Sequence, residues 1–183
     1  MSSKEQKIFL CLFRFLCLVQ LSSSQQFWRC LIENKTDTII PNFIDEIVEY
    51  IKNISNFEFK QKFHKYSSKK VNGKTIREQN LQIIPEHNVK IYETKYIGIN
   101  CYDFKNFINS IINNINTIDK NKNFRQESII KQWNKINRTY IFSLKFEMKV
   151  SSGFYIRQFV RDLSTKFNFP LIVHDIHRIF IQP

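Results

Sequence analysis

The most regular pattern of apolar and polar positions runs through residues 138–150. Every second position carries a large apolar side chain, namely Tyr140, Phe142, Leu144, Phe146, Met148 and Val150. The positions between them hold Ile141, Ser143, Lys145, Glu147 and Lys149. Because successive side chains of a strand point to opposite faces, this alternation predicts a β-strand. Ser151, Ser152 and Gly153 follow and predict a turn.

Three segments have apolar residues at helical spacing, which predicts helices over residues 42–54, 102–115 and 154–167. The first follows Pro41 and carries its acidic residues early. In the third, Ile156, Val160, Leu163 and Phe167 form the core stripe. Pro170 predicts the end of that helix.

The remaining segments complete the expected fold. Residues 57–77 are densely basic and contain Asn72-Gly73, which predicts a loop and a hairpin. Residues 89–99 and 177–182 predict strands, and the Asn- and Lys-rich residues 116–137 predict an exposed insertion. Helices and strands mix without strict alternation. We therefore predict an α+β fold with a mixed, mainly antiparallel sheet flanked by helices.

The apolar residues 8–21 allow two interpretations. They read IFLCLFRFLCLVQL, which is too short to span a bilayer comfortably and has Arg14 in its middle. The three serines that follow at 22–24 give the segment the outline of a signal sequence. A strand or helix of the core is the alternative. Residues 1–26 are accordingly separated as a divergent segment that is either a targeting sequence or a mis-predicted region.

Composition and charge limit the function classes. The 183 residues are 43% hydrophobic and 15% aromatic, enough to bury a core, so a wholly disordered chain is excluded. Lys and Arg total 28 against 16 Asp and Glu, a net charge of +12. This charge favours a polyanionic partner, nucleic acid first and an acidic membrane surface second. The four cysteines form no C-x-x-C pair, so neither a zinc site nor a disulfide framework is indicated.

Two motifs resemble the TruB-type tRNA pseudouridine synthases. The first is QKFHKYSSKKVNGK at residues 61–74, which is similar to the family's Q-x-P-P-x-Y-S-A-x-K-V-x-G-K. The second is VSSGFYIR at residues 150–157, continued by RDL at 161–163, which is similar to C-S-x-G-T-Y-I-R-x-L-x-x-D-L. Weaker similarities are Thr36-Asp37-Thr38 to T-D-T and Ile176-His177-Arg178 to L-R-R. The resemblance covers roughly residues 27–180 and implies that residues 27–183 form a partial pseudouridine synthase-like catalytic domain with an insertion at about 100–137.

The resemblance implies a reaction and a set of residues. The family isomerises the T-loop uridine of tRNA to pseudouridine with an aspartate nucleophile, without cofactor or metal. The matching catalytic residues are Arg157, which would hold that carboxylate, and Tyr155, which would lie beside the base. The matching RNA-binding residues are Tyr66, Lys69, Lys70, Lys74 and Arg178. The expected partner is the T-arm of tRNA, bound by an intracellular monomer that needs no membrane.

Departures from the family pattern leave the activity open. The catalytic aspartate of the family lies in a G-x-L-D-P motif, which these residues lack, and the first aspartate in the sequence is Asp37. Asp37 matches the T-D-T position, so we do not expect it to replace the nucleophile. We also expect no RNA-binding PUA domain among these residues. Phe63-His64 replaces the Pro-Pro pair of the first motif.

Three functional hypotheses follow. The sequence is an incomplete gene product of an active enzyme, which is the interpretation we favour, or it is an inactive RNA-binding or tRNA-folding protein. A secreted or membrane-tethered basic protein is the third. The sequence shows no arrangement of its four histidines with a carboxylate or a cysteine that would indicate a catalytic site. We therefore expect no histidine-based site.

Overall fold

The computed structural model describes residues 8–19, 42–63, 70–71, 73–75, 84–119, 125–136 and 140–181. Its strands are β1 (Ile8–Val19), β2 (Phe57–Lys62), β3 (Lys70–Val71), β4 (Lys74–Thr75), β5 (Glu86–Asp103), β6 (Tyr140–Ser151) and β7 (Leu171–Ile181). The helices in the described ranges are α1 (Asn42–Lys52), α2 (Phe104–Asn116), α3 (Gln126–Asn134) and α4 (Ile156–Lys166).

Five strands form one antiparallel sheet in the order β2-β5-β6-β1-β7. The predicted α+β class is confirmed. The central strand β6 is buried on both faces, because Ile141 and Phe142, which point in opposite directions, are both buried. The polar Ser143 is also buried.

The apolar run near the amino end forms β1, which lies between β6 and β7. Cys11, Phe13 and Leu16 are buried, and Phe13 stacks on Phe146 of β6 with ring centroids 6.0 Å apart. Leu12, which points to the opposite face from Cys11 and Phe13, is half-buried, so apolar residues on both faces account for the run's lack of alternation. Whether residues 1–26 also serve in targeting stays a prediction. No described helix is long and apolar enough to span a membrane.

The basic region after α1 begins with a strand that was not predicted. Strand β2 pairs antiparallel with β5, from Phe57↔Ile91 to Lys62↔Glu86, and is an edge strand of the sheet. The hairpin expected at Asn72-Gly73 is present as β3 and β4, with Val71 paired to Lys74. Gly73 has a φ of +79°, which this turn requires and which glycine adopts at little cost.

The helices follow the predicted spacing with one exception. Helices α1, α2 and α4 lie where the periodicity places them. Helix α3 lies within the predicted insertion, and none of its residues is buried. Because an exposed helix needs no apolar stripe, the periodicity of residues 116–137 was too weak to indicate it. Strand β7 starts six residues earlier than predicted, at Leu171.

The contacts divide the chain into two compact units. The first comprises Met1–Leu16, Ile40–Gly98 and Leu144–Pro183, and it contains α1, β2, the small hairpin, β7 and α4. The second comprises Cys17–Ile39 and Ile99–Ser143, and it contains α2 and α3. All the site residues described below belong to the first unit.

Helix α4 packs on β7 and β2, and aromatic side chains join its start to β2. Phe154, just before the helix, meets Phe59 of β2 edge-on at 6.0 Å and Phe159 of α4 at 5.7 Å. Phe154 and Phe159 are both buried. Fully burying a side chain of this size stabilises the fold by roughly 1.5–3 kcal/mol. This packing fixes the start of α4 relative to the sheet.

Candidate functional site

The segment that joins β6 to α4 carries the second sequence motif. The chain leaves β6 at Ser151, turns through Gly153, whose φ is +86°, and enters α4 after Tyr155. Tyr155 is extended and provides no side-chain cap to the helix. The Phe154 N–H donates to the Ser151 carbonyl at 3.3 Å and closes the turn.

Gln61 of β2 binds the backbone of Tyr155 through both ends of its carboxamide. The Gln61 Oε1 accepts from the Tyr155 N–H at 2.8 Å, and Nε2 donates to the Tyr155 carbonyl at 3.1 Å. That carbonyl also accepts the first helical hydrogen bond, from the Phe159 N–H at 3.0 Å. Gln61 is 1% exposed, so the two bonds satisfy a polar group that would otherwise be buried at a cost.

His87 of β5 binds the preceding part of the same segment. Its Nε2 lies 2.9 Å from the Gly153 carbonyl, and since a carbonyl can only accept, Nε2 carries the hydrogen. Nδ1 of His87 is buried and has no hydrogen-bond partner among the described residues. The imidazole stacks on Phe63 at 4.1 Å with an interplanar angle of 6°, and the Tyr155 ring meets it edge-on at 5.9 Å.

Arg178 of β7 completes the arrangement. Its Nη2 donates to the Phe154 carbonyl at 3.2 Å, and its guanidinium lies 5.6 Å from the centroid of the Phe9 ring. Arg178 also lies against Cys11. Burial raises the pKa of the Cys11 thiol, and the charge and hydrogen bond of Arg178 partly oppose this rise. RNA binding by Arg178 stays a prediction, and the structure gives this residue contacts within the fold.

Three successive carbonyls, at residues 153, 154 and 155, are thus each bonded by a side chain from a different strand of the sheet. We call Gln61, His87 and Arg178 together the carbonyl clamp. A strand-to-helix turn does not need such bonds, because its carbonyls can bond water or the helix. The clamp therefore fixes the backbone that carries Tyr155 and the residues just after it.

Arg157 is the second residue of α4 and its side chain is exposed. It makes no hydrogen bond or ion pair with any described residue. The first turn of a helix carries a partial positive charge from its unpaired N–H groups. Arg157 adds a full charge at that place, which favours an anion such as a phosphate or a carboxylate.

The other predicted site residues lie at a second place or outside the described residues. Lys70 and Lys74 lie on the two strands of the small hairpin, and Lys74 is exposed. Tyr66, Lys69 and Asp37 lie outside the described residues. The structure therefore brings together Tyr155, Arg157 and Arg178, while Lys70 and Lys74 belong to another element.

Sequence reasoning assigned no role to three residues of this site. Gln61 matches the first position of the first motif, but nothing in the sequence showed what it binds, and Phe63 stands where the motif has proline. His87 carried no sequence signal, because its partner is a backbone carbonyl 66 residues away. Within the described part of the chain, no group of three or more His, Cys, Asp or Glu side chains could hold a metal ion.

Comparison with known proteins gives a distant similarity. No protein-family model and no curated protein matches the sequence. Among solved structures, the chain is similar to a chain described as "Crystal Structure of a Cbf5-Nop10-Gar1 Complex", with a TM-score of 0.41 and 11% identity. The match covers 94% of this chain and 29% of that chain, so this chain spans less than a third of its length. A similarity of this size identifies neither a reaction nor an RNA target.

Proposed function

We propose that this chain binds the T-arm of tRNA at the start of α4 and serves the isomerisation of the T-loop uridine to pseudouridine. The observation that carries the proposal is the carbonyl clamp. Side chains from three strands fix the backbone of residues 153–155, and so fix the point from which the Tyr155 ring and, two residues on, the Arg157 side chain extend. Pre-organised groups of this kind are typical of binding and catalytic sites.

The charge distribution supports an RNA partner. The net charge is +12, and Arg157 presents an exposed guanidinium at a helix N-terminus. Lys74 adds an exposed cation on the small hairpin. Exposed cations bind the phosphates of a nucleic acid whatever its base sequence, and they make its affinity for the protein fall as the salt concentration rises.

The proposed chemistry needs a carboxylate that these residues do not supply in the family's motif. The reaction breaks the N1–C1′ bond of uridine and rejoins the base through C5, so that N1 gains the proton that C5 loses. Arg157 would hold the nucleophilic carboxylate ionised and oriented, and Tyr155 would contact the base after the nucleotide leaves its stack. The first aspartate in the sequence, Asp37, matches the T-D-T position and not the family's catalytic motif. RNA binding without catalysis is therefore the second candidate function.

Pseudouridine formation and binding on an unmodified tRNA transcript test the proposal. We expect tight binding, and we expect the logarithm of the association constant to fall linearly with the logarithm of the salt concentration. Arg157→Ala should leave the thermal unfolding curve unchanged, since the side chain is exposed, and should abolish any turnover and weaken binding. Lys105→Ala is the matched control, because Lys105 is likewise an exposed cation at the second position of a helix, α2.

Three outcomes separate the hypotheses. Pseudouridine at the T-loop position supports the enzyme. Tight tRNA binding that depends on Arg157 but yields no product supports the RNA-binding protein. Failure of the wild-type chain to bind tRNA at low salt, or equal effects of Arg157→Ala and Lys105→Ala, contradicts the proposal.

A further inference from the structure

An apolar cavity lies beside α4, away from the start of the helix. It measures about 310 Å³, and half of its lining residues carry rings, namely Tyr50 of α1, Phe57 and Phe59 of β2, and Phe159 of α4. Small-molecule pockets begin at roughly 300 Å³, so this cavity is large enough to take a single aromatic base. Phe57 is 52% exposed although it is a large aromatic residue. A ring with one face open to solvent can stack on a planar ligand.

A basic cavity of about 780 Å³ lies between β2 and α4. Four cations line it, Lys60, Lys62, Arg161 and Lys166, against two acids, Glu86 and Asp162. Lys60, Lys62 and Arg161 make no salt bridge to a described residue. Together with Lys166 they outnumber the two acids that line this cavity, so the cavity keeps an excess of positive charge and attracts anions.

The two cavities adjoin, because Asp162 and Lys166 line both. Lys166 lies over the Tyr50 ring at 4.6 Å, and Asp162 accepts a hydrogen bond from Gln158 Nε2 at 2.8 Å. An aromatic cavity thus opens directly beside an excess of positive charge. A nucleotide has this same composition, a planar apolar base next to an anionic phosphate.

We propose that these adjoining cavities bind single-stranded RNA, with one unstacked base against Phe57 and Phe59 and the neighbouring phosphates on Lys60, Lys62 and Arg161. The inference rests on the proposed function in that it takes the bound polymer to be RNA. The inference adds a second contact surface, which would bind an unpaired stretch of the RNA and is separate from the site at the start of α4. Aromatic platforms beside a positive groove are how proteins bind single strands without sequence preference.

The binding of an oligouridylate of about 12 nucleotides with one central 2-aminopurine tests this proposal. Stacking quenches 2-aminopurine fluorescence, so the probe reports on the base as well as on affinity. We expect the wild-type chain to quench the probe. Phe57→Ala should remove the quenching and weaken binding roughly 5- to 100-fold. Phe57→Leu keeps apolar bulk without a ring and should also lose the quenching.

The salt dependence of binding tests separately whether Lys60 and Lys62 bind phosphates. The double variant Lys60→Ala, Lys62→Ala should weaken binding and reduce the salt slope by about 0.7 for each phosphate that the protein no longer neutralises. Ile172→Ala on β7 is the control for Phe57, because Ile172 is also an exposed apolar residue, and Lys95→Ala on β5 is the control for the lysines. Both controls should bind as the wild type does.

Failure of this inference can be told from failure of the proposed function. If the Phe57 and Lys60/Lys62 variants bind the probe as the wild type does while Arg157→Ala still weakens tRNA binding, the inference is wrong and the proposed function stands. If the wild-type chain binds neither tRNA nor the oligonucleotide, both are wrong. Tight binding of polyglutamate in place of the oligouridylate would assign the cavities to an acidic protein and overturn the inference.

Discussion

Gln61 and Tyr155, 94 residues apart in the sequence, are joined through both backbone groups of Tyr155 and both polar ends of the Gln61 side chain. The Gln61 carboxamide bonds the N–H and the carbonyl of Tyr155, as the backbone of a neighbouring strand would. Since Gln61 lies on the edge strand β2, the position at which α4 begins is tied to the edge of the sheet. A displacement of β2 would therefore move Tyr155 and Arg157 as well.

Replacing Gln61 with leucine should destabilise the fold. Gln61→Leu keeps the buried volume but leaves the Tyr155 N–H without its acceptor, and an unsatisfied buried donor costs about 1–3 kcal/mol. Urea unfolding measures this loss as a lower midpoint with an unchanged slope. Gln132→Leu, at an exposed position of α3, is the control and should change stability by less than about 0.5 kcal/mol. Equal midpoints for the two variants would show that the Gln61 bonds contribute nothing.

Two glycines with similar backbone angles should differ in their tolerance of alanine. Gly153 and Gly73 have φ values of +86° and +79°. In either case alanine meets a backbone strain of roughly 1–2 kcal/mol. A Cβ at position 153 would also lie 3.3 Å from His87 Nε2, whereas a Cβ at position 73 meets nothing within 4 Å. Gly153→Ala should therefore lower the free energy of unfolding more than Gly73→Ala, and an equal or smaller loss would argue against a tight His87 contact.

The thiol of Cys101 should react slowly with alkylating reagents. Burial raises the pKa of Cys101 to about 11, and the thiolate is the reactive form. Its alkylation rate, followed by peptide mass spectrometry, should rise about tenfold per pH unit from about pH 8 to pH 10. A small free thiol with a pKa of about 8.5 should level off within that range. If the rate at Cys101 levelled off together with the free thiol, the burial of this side chain would be in doubt.

Asp162 should make stability depend on pH. Burial raises its pKa and outweighs the opposing effects of the Gln158 hydrogen bond and of Arg161 and Lys62. A carboxyl whose pKa is higher in the folded state stabilises the fold when protonated, and this contribution is lost as the pH rises through the folded pKa. Asp162→Asn cannot ionise. It should therefore unfold at higher urea than the wild type at pH 7, and the difference should shrink below a pH of about 4, near the ordinary carboxyl pKa. A difference that is constant with pH would contradict this account.

Local patterns predicted much of the fold. The spacing of apolar residues indicated α1, α2 and α4, and alternation indicated β6. The Asn-Gly pair indicated the hairpin of β3 and β4. These elements share a strong local signal, either an amphipathic period or a turn that few residue types can form.

The elements that were missed or left open lack such a signal. Helix α3 buries none of its residues, so its sequence has no reason to be amphipathic. Strand β1 carries apolar residues on both faces, so its apolar run did not alternate and left helix and strand equally open. At the site, the motif match located Tyr155 and Arg157, whereas the clamp depends on contacts between residues far apart in sequence, which no local period encodes.

The place of β1 in the sheet has a consequence for synthesis of the protein. Because β1 lies between β6 and β7, its two neighbours leave the ribosome more than a hundred residues after it does. Until then Cys11, Phe13 and Leu16, all buried in the finished fold, have no sheet to join. During translation the apolar segment that becomes β1 thus stays exposed until β6 and β7 have been synthesised, and exposed segments of this kind are prone to aggregate. Nascent chains stalled before residue 140 should consequently be more sensitive to protease than chains stalled after release of β7.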